Sequence, residues 1–205
     1  GDISKESKSR TFLKSYNSKV QVASGAIPFR ALGFKDARLY AFASVFTTLD
    51  VLVPWACHHV HPLAGPTFLP MHIFVLMAAL LFGWRTGLLV GLSTPLISFG
   101  VSGMPVLAIL PQITVELTSY GLAAGFLREK FDLRIIWALL GAMFIGRLAL
   151  GLAVLLLSWG ETDPLLYVWS VTERGWPGIV IQLIVIPPLA RVLNNYWQST
   201  LNAQR

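Results

Sequence analysis

Residues 51–84 read VLVPWACHHVHPLAGPTFLPMHIFVLMAALLFGW, without a single Asp, Glu, Lys or Arg. A second uncharged run, residues 86–115, follows directly after Arg85. Because about 20 consecutive apolar residues suffice for a helix to cross a lipid bilayer, each run has room for at least one membrane helix. Hydrophobic residues make up 55% of the chain and charged residues 13%, against about 25% charged residues in soluble domains. The sequence therefore predicts an all-α integral membrane protein.

Charged residues and Gly/Pro turns divide the chain into six apolar segments, which predict a bundle of six transmembrane helices. The predicted spans are residues 37–56, 67–83, 86–100, 106–127, 135–158 and 176–194. The predicted organisation has three parts: a polar cytoplasmic N-terminal segment (1–34), the membrane domain (35–196) and a cytoplasmic C-terminal tail (197–205).

Basic residues concentrate on one side of the predicted bundle. Of the 16 Lys and Arg residues, Arg147 lies within a span and Arg174 in an outer loop, and all the others lie on the side of the two termini. By the positive-inside rule, both termini are predicted to be cytoplasmic. The net charge of +6 then reflects topology and anionic lipid headgroups, and no nucleic-acid partner is predicted.

All four histidines and the only cysteine lie between Cys57 and His72, near the outer ends of the first two spans. Thiol and imidazole groups bind late transition metals or the cobalt of a corrinoid. The candidate metal ligands are Cys57, His58, His59, His61 and His72. Consecutive residues cannot all reach one metal with good geometry, and no fixed spacing such as CxxC is present. A solvated loop with one functional histidine therefore stays open beside a metal site.

Away from the span ends, the predicted spans contain Asp50, His72, Glu116 and Arg147, and an unpaired charge there is costly. A rise of about 1.5 Å per residue places Asp50 and His72 roughly 8 to 9 Å below the outer surface. The same count places Glu116 and Arg147 near the midplane. We expect these two to pair, either as a structural clamp or as the floor of a pocket. His72 follows Pro70, whose missing backbone donor favours a cavity wall, so His72 is predicted to contact ligand.

These side chains predict an outward-opening pocket that is mostly apolar and has a few polar groups. Asp50 is expected to orient His72 or the ligand, or else to act simply as a cap near the interface. A loop carrying Tyr167, Trp169 and Trp176 is expected to supply an aromatic lid. The predicted substrate-binding residues are Asp50, His59, His61, Met71, His72, Glu116, Arg147 and Trp169.

Small residues recur every four positions in three places: Gly83, Gly87 and Gly91; Gly121 and Gly125; Ala37 and Ala41. Such spacing puts small side chains on one helical face and permits close approach of another helix. We interpret the two glycine series as packing within the bundle. Ala37 and Ala41 lie at the cytoplasmic start of the first span, where few internal partners are expected, so they are predicted to dock another protein.

Motifs of the common catalytic classes are missing from the sequence. It has no GxSxG elbow, HExxH helix, Walker A loop or GxGxxG element. The usual residues of hydrolases, zinc proteases, ATPases and dinucleotide enzymes are thus missing. We therefore predict a protein that is not an enzyme and carries no cofactor. Uphill transport would need an ion gradient or a partner that hydrolyses ATP.

A family resemblance covers about residues 37–195 and is densest over residues 62–128. It rests on FLPMHI (68–73), TPL (94–96), GMP (103–105), VEL (115–117) and YG (120–121), together with Gly83 and the Gly87 to Gly91 segment. In these features the sequence resembles the substrate-binding S components of energy-coupling-factor (ECF) vitamin transporters. The segment ARLYA (37–41) is similar to the AxxxA pattern by which such components dock on their transmembrane coupling subunit.

The resemblance implies a high-affinity binding subunit for a vitamin, a vitamin precursor or a metal ion in a prokaryotic cell membrane. Its partners would be the coupling subunit and two ATPase subunits, separate chains that use ATP while the S component topples in the membrane. Nickel and cobalt members carry a Met-His pair at the free N-terminus, whereas Met71 and His72 are internal here. An organic micronutrient, including a corrinoid held through histidine or cysteine, is thereby favoured over a bare nickel or cobalt ion. An ion-coupled secondary transporter acting alone and an intramembrane enzyme or assembly protein stay open beside it.

Overall fold

The computed structural model describes residues 31–60, 70–157 and 163–203. Within these ranges the regular elements are six α-helices. They are α1 (Ala37–Val60), α2 (Pro70–Phe82), α3 (Trp84–Ser102), α4 (Leu110–Phe131), α5 (Ile135–Leu157) and α6 (Pro164–Ala203). The predicted all-α fold is confirmed for the described part of the chain, and each predicted span corresponds to a helix of its own. The predicted N-terminal segment lies outside the described residues as far as residue 30.

Three of the described helices are long and apolar enough to cross a membrane: Ala37–Ala56 of α1, the whole of α5, and Pro164–Tyr196 of α6. On α5, an apolar stripe at helical spacing points outward, and its members Phe144, Leu148 and Leu152 are each more than half exposed. Large exposed apolar stripes are unfavourable in water and favourable against lipid. The described helices are therefore those of a membrane protein.

Helix α2 is short and lies in the interior of the bundle. Its 13 residues make about 20 Å of helix, against roughly 30 Å for the hydrocarbon core of a bilayer. Every residue from Val75 to Leu80 is at most 1% exposed. Protein therefore surrounds the middle of α2 on all sides, and α1, α3 and α4 all pack against it.

Helices α3 and α4 cross with their backbones in close contact. A Cβ atom built on Gly87 would lie 2.6 Å from Ala79 Cβ and 2.8 Å from the carbonyl carbon of Gly121, and one built on Gly91 would lie 2.5 Å from the Leu117 carbonyl oxygen. Since such distances are too short for any side chain, glycine alone fits at these positions. The helices run antiparallel, because Gly87 meets Gly121 and Gly91 meets Leu117. The interpretation of these glycines as packing within the bundle is confirmed.

Helix α6 begins well before the predicted start of the last span at residue 176. The backbone N–H groups of Leu165 and Leu166 donate hydrogen bonds to Asp163 Oδ1 at 2.8 and 3.2 Å. Asp163 is thus the N-cap of α6, and Pro164 takes the first helical position, where its missing N–H costs nothing. The start of α6 lies beside the end of α5, since a Cβ built on Gly151 would meet Val168 Cγ2 at 3.4 Å.

The C-terminal end of α6 extends beyond residue 194, where the last predicted span ended. Residues 197–203, predicted as part of a C-terminal tail, continue the helix to Ala203. The described residues up to Leu193 belong to one compact unit, and those from Asn194 onward belong to another.

Candidate functional site

Four buried polar side chains from three helices meet inside the bundle. We call His72, Glu116, Tyr120 and Arg147 the polar cluster. His72 comes from α2, Glu116 and Tyr120 from α4, and Arg147 from α5. Glu116, Tyr120 and His72 are 3%, 2% and 7% exposed, and the Arg147 side chain is 12% exposed. Polar groups buried in a membrane bundle are costly unless they pair with one another or serve a ligand.

Glu116 is the centre of the polar cluster. Its Oε1 atom accepts a hydrogen bond from Arg147 Nη1 at 2.8 Å and lies 3.6 Å from His72 Nε2. The Tyr120 hydroxyl is close enough to Glu116 for the two groups to interact electrostatically. The predicted pairing of Glu116 with Arg147 is confirmed. It brings together two opposite charges, each of which would be strongly destabilising if it were buried alone.

Tyr120 owes its position to helical spacing and to a glycine on the facing helix. It follows Glu116 by four residues, so both side chains leave α4 on the same face. A Cβ atom built on Gly146 would lie 2.9 Å from the Tyr120 ring, so the absence of a side chain there leaves room for the ring beside α5. The His72 ring meets the Tyr120 ring edge-on, with 5.0 Å between centroids. Sequence reasoning did not include Tyr120 in the site, although its spacing from Glu116 was a usable signal.

His72 and Glu116 lie at one level of the bundle and not at the two depths predicted for them. Helix α4 begins at Leu110 and not at residue 106, so Glu116 is only about 9 Å from the start of its helix. His72 lies in the first turn of α2, directly after Met71. Both side chains therefore lie in the half of the bundle where α2 and α4 begin, and Arg147 lies near the middle of its own helix.

Asp50 makes no hydrogen bond with His72, and its predicted role in orienting the ligand stays a prediction. It is fully buried, and its Oδ2 atom accepts a hydrogen bond from Thr94 Oγ1 of α3 at 3.1 Å. Its Oδ1 atom has no hydrogen-bond partner. The hydroxyls of Thr47 and Ser93, 3.0 Å apart, join the same two helices. Asp50 thus belongs to the interface of α1 with α3.

The aromatic residues of the predicted lid lie on α6, so the prediction of a loop is wrong. Trp169 and Trp176 are 70% and 60% exposed. Tyr167 is partly buried and close enough to Glu116 for the two groups to interact electrostatically. The charged pair Glu173 and Arg174 interrupts the apolar pattern of the sequence without interrupting the helix. A role for Trp169 in substrate binding stays a prediction.

The predicted metal ligands other than His72 cannot be placed as side chains. Residues 57–60 continue α1 as helix and do not form the expected loop, but their side chains lie outside the described residues, as does all of residue 61. Among the side chains that are described, no three His, Cys, Asp or Glu groups converge to hold a metal ion. Met71 is partly buried. The residues whose binding roles stay predictions are Cys57, His58, His59, His61 and Met71.

Ala37 and Ala41 form an exposed small surface at the start of α1. Tyr40 and Phe34, beside them, are 51% and 45% exposed. A surface of small and apolar side chains suits close packing against another helix. This surface lies at the N-terminal end of α1, whereas the C-terminal end of α1 precedes α2 in the chain.

The polar cluster contains four nitrogen atoms that make no hydrogen bond within the protein. Both ring nitrogens of His72, and Nε and Nη2 of Arg147, are buried without a hydrogen-bond partner. Since buried polar groups are almost always paired with protein, water or ligand, these atoms mark positions where a small molecule can bind. The Tyr120 ring beside His72 supplies an apolar wall. The arrangement can therefore hold a small polar solute, and it offers no nucleophile activated by a base.

A known protein family matches most of this chain. The family model described as ECF transporter, substrate-specific component, matches residues 38–190, which include the whole polar cluster. No curated protein and no solved structure shows a significant match. The family is one of substrate-binding transporter subunits and not of enzymes, and it agrees with the apolar helices of a membrane protein. The chain belongs to the family of substrate-specific components of ECF transporters.

Proposed function

We propose that this protein is the high-affinity substrate-binding subunit, the S component, of an ECF-type ABC importer for an organic micronutrient: a vitamin, a vitamin precursor or a corrinoid-like compound. The polar cluster is the observation that carries the proposal. Its members are buried in an apolar bundle, and four of their nitrogen atoms lack a hydrogen-bond partner. A purely structural ion pair needs no such surplus of donors, whereas a binding site for a polar solute does.

In the proposed topology, the chain crosses a prokaryotic cell membrane six times, with both termini in the cytoplasm. The distribution of Lys and Arg supports this orientation. The half of the bundle where α2 and α4 begin then faces outward, and it holds His72 and Glu116 of the polar cluster. Helix α2 is shorter than the bilayer, which membrane proteins tolerate where protein surrounds the segment.

The proposed partners are a transmembrane coupling subunit and two ATPase subunits. ATP is used by those separate chains, and this chain carries no cofactor of its own. The exposed surface of Ala37 and Ala41 is the proposed docking site for the coupling subunit, at the cytoplasmic end of α1. Lipid surrounds the apolar stripe of α5, and nucleic acid has no part in the function.

A bare nickel or cobalt ion suits the polar cluster less well than an organic solute. Glu116 is the only carboxylate in the cluster, and Arg147 holds it at 2.8 Å. The fixed positive charge of Arg147 repels a metal cation at the position where Glu116 would bind one. His72 alone is too few ligands for a tight metal site.

The proposed function is tested by measuring binding and uptake with the same protein. Protein purified in detergent should retain a small molecule that mass spectrometry and the visible spectrum identify. Vesicles that contain this chain, the coupling subunit and both ATPases should accumulate that compound, and omission of the ATPases should abolish uptake. Uptake by this chain alone would indicate an ion-coupled carrier, and chemical turnover of the compound would indicate an enzyme; either result would overturn the proposal.

A further inference from the structure

Arg147 uses only part of its hydrogen-bonding capacity within the protein. Its Nη1 atom donates to Glu116 Oε1 at 2.8 Å, whereas Nε and Nη2 are buried without a partner. A guanidinium group carries five N–H donors in a rigid planar fork. Its Nε and Nη2 atoms lie along one edge, which presents two parallel N–H groups. That edge matches the two oxygens of a carboxylate, which binds it through two parallel hydrogen bonds.

The unsatisfied atoms of the polar cluster are all nitrogens. They are the two ring nitrogens of His72 and the Nε and Nη2 atoms of Arg147. No atom of Glu116 or Tyr120 is among them, and the Glu116 carboxylate accepts from Arg147. A neutral imidazole still donates from one nitrogen, and a guanidinium only donates. A ligand that supplies acceptor oxygens therefore satisfies more of the cluster than one that supplies donors.

A second arginine-glutamate pair, Arg85 with Glu129, also joins two helices. It serves as a comparison for the pair of Arg147 with Glu116. Arg85 Nη1 lies 3.2 Å from Glu129 Oε1, and the Arg85 side chain is 27% exposed. Its guanidinium also lies over the Trp84 ring, 4.6 Å from the centroid. None of the Arg85 nitrogens is buried without a partner. Oε2 of Glu129 is buried without a partner, but no donor of this pair is, so unused buried donors distinguish the Arg147 pair from the Arg85 pair.

We propose that the substrate of this protein carries a carboxylate that binds the Nε and Nη2 edge of Arg147, with His72 as a second donor. The inference rests on the proposed function, because it takes the polar cluster as the substrate site. Glu116 then does not bind the substrate directly; it holds Arg147 in place through Nη1. The Tyr120 ring lies beside the bound group and excludes water from it.

Pairs of compounds that differ only in the charge of one group test the proposal. Calorimetry on the purified full-length protein compares nicotinate with nicotinamide, pantothenate with pantothenol, biotin with biotin amide, and a corrinoid acid with its amide. A compound retained through purification is compared with its own amide in the same way. We expect the acid to bind about 100-fold more tightly than its neutral partner in at least one pair, as for a buried charge-assisted contact.

Variants of Arg147 show whether this edge binds the acid. Arg147→Lys keeps a positive charge beside Glu116 but has no planar fork, so it should fold with a melting temperature near that of the wild type. It should bind the acid at least about tenfold more weakly and lose most of the preference over the amide. Arg147→Gln, which has no charge, should lose the preference entirely. Arg85→Gln is the matched control and should keep it.

Each other outcome contradicts either the inference or the proposed function. If compounds bind but no acid binds more tightly than its neutral partner in any pair, the inference fails and the proposed function stands. If the acid preference survives in both Arg147→Lys and Arg147→Gln, the carboxylate binds elsewhere and the inference also fails. If no compound binds at all, the proposed function fails together with the inference. If Arg147→Lys does not fold, the comparison of acid with amide in the wild-type protein still tests whether the substrate binds through a carboxylate.

Discussion

Arg147 Nη1 donates a hydrogen bond to Glu116 Oε1 over 2.8 Å and thereby joins α5 to α4 inside the bundle. The same carboxylate oxygen lies 3.6 Å from His72 Nε2 on α2. One buried atom thus connects three helices. We therefore expect folding and substrate binding to be coupled at this point, because a change in Glu116 should alter both the helix contact and the orientation of two candidate binding residues.

The pair of Glu116 with Arg147 should show strong coupling in unfolding experiments. Removing one partner leaves a buried charge unpaired, so Glu116→Gln and Arg147→Met should each lower the free energy of unfolding by about 3 to 5 kcal/mol. The double variant should lose less than the sum of the two, which denaturant unfolding in detergent can measure. Strictly additive losses would argue that the two side chains do not interact.

His72 should contribute to substrate binding more than to stability. His72→Ala removes two ring nitrogens that make no hydrogen bond within the protein and an edge contact with Tyr120. Equilibrium binding of the substrate should weaken at least tenfold, about 1.4 kcal/mol, while the protein still folds. Titration of the variant with the identified compound is the measurement. Wild-type affinity would place the substrate site elsewhere in the bundle.

The surface of Ala37 and Ala41 should matter for uptake and not for binding. Leucine at either position would hold a partner helix away from α1, so Ala37→Leu and Ala41→Leu should abolish uptake in vesicles that contain the coupling subunit and ATPases. Substrate affinity of the isolated variants should stay unchanged. Ala56→Leu is the matched control, since Ala56 is also exposed on α1 but lies near its other end. Normal uptake by both variants would exclude this surface as the docking site.

The contact between α3 and α4 should not tolerate a methyl group at Gly87. A Cβ there would lie 2.6 Å from Ala79 Cβ and against the Gly121 backbone, so Gly87→Ala should destabilise the protein by at least about 1 to 3 kcal/mol. Gly100→Ala is the control on the same helix, because a Cβ at Gly100 meets nothing within 4 Å. It should leave the melting temperature unchanged or raise it. Equal effects of the two substitutions would contradict the close contact.

Asp50 should be dispensable for substrate binding. Asp50→Asn removes a buried ionisable group and keeps an oxygen that can accept from Thr94 Oγ1. The variant should be at least as stable as the wild type, because a buried charge without a counter-charge is costly. Its substrate affinity should stay within about twofold of the wild-type value. A tenfold loss would instead support the prediction from sequence that Asp50 belongs to the binding site.

Several features of this protein follow from its sequence alone, because each depends on a local property. Long runs without charge indicate a membrane, and charged residues together with Gly/Pro turns divide the chain into six segments, one for each described helix. A buried charge requires a partner, which predicted the pair of Glu116 with Arg147. Glycines at a spacing of four require a close neighbour, and Gly87 and Gly121 have one in each other. The early start of α6 was also readable, since Asp163 followed by Pro164 is a common beginning of a helix.

The tertiary structure alone decided which polar groups meet. Counting residues gives the depth of a side chain along its helix, but it gives neither the rotation of that helix about its axis nor the identity of its neighbours. Both depend on contacts between residues far apart in the chain, such as Gly87 with Gly121 and Gly146 with the Tyr120 ring. Those contacts turn one face of α4 toward α2 and α5. For that reason His72 lies beside Glu116, and Asp50, which depth alone would have matched with His72, bonds to Thr94.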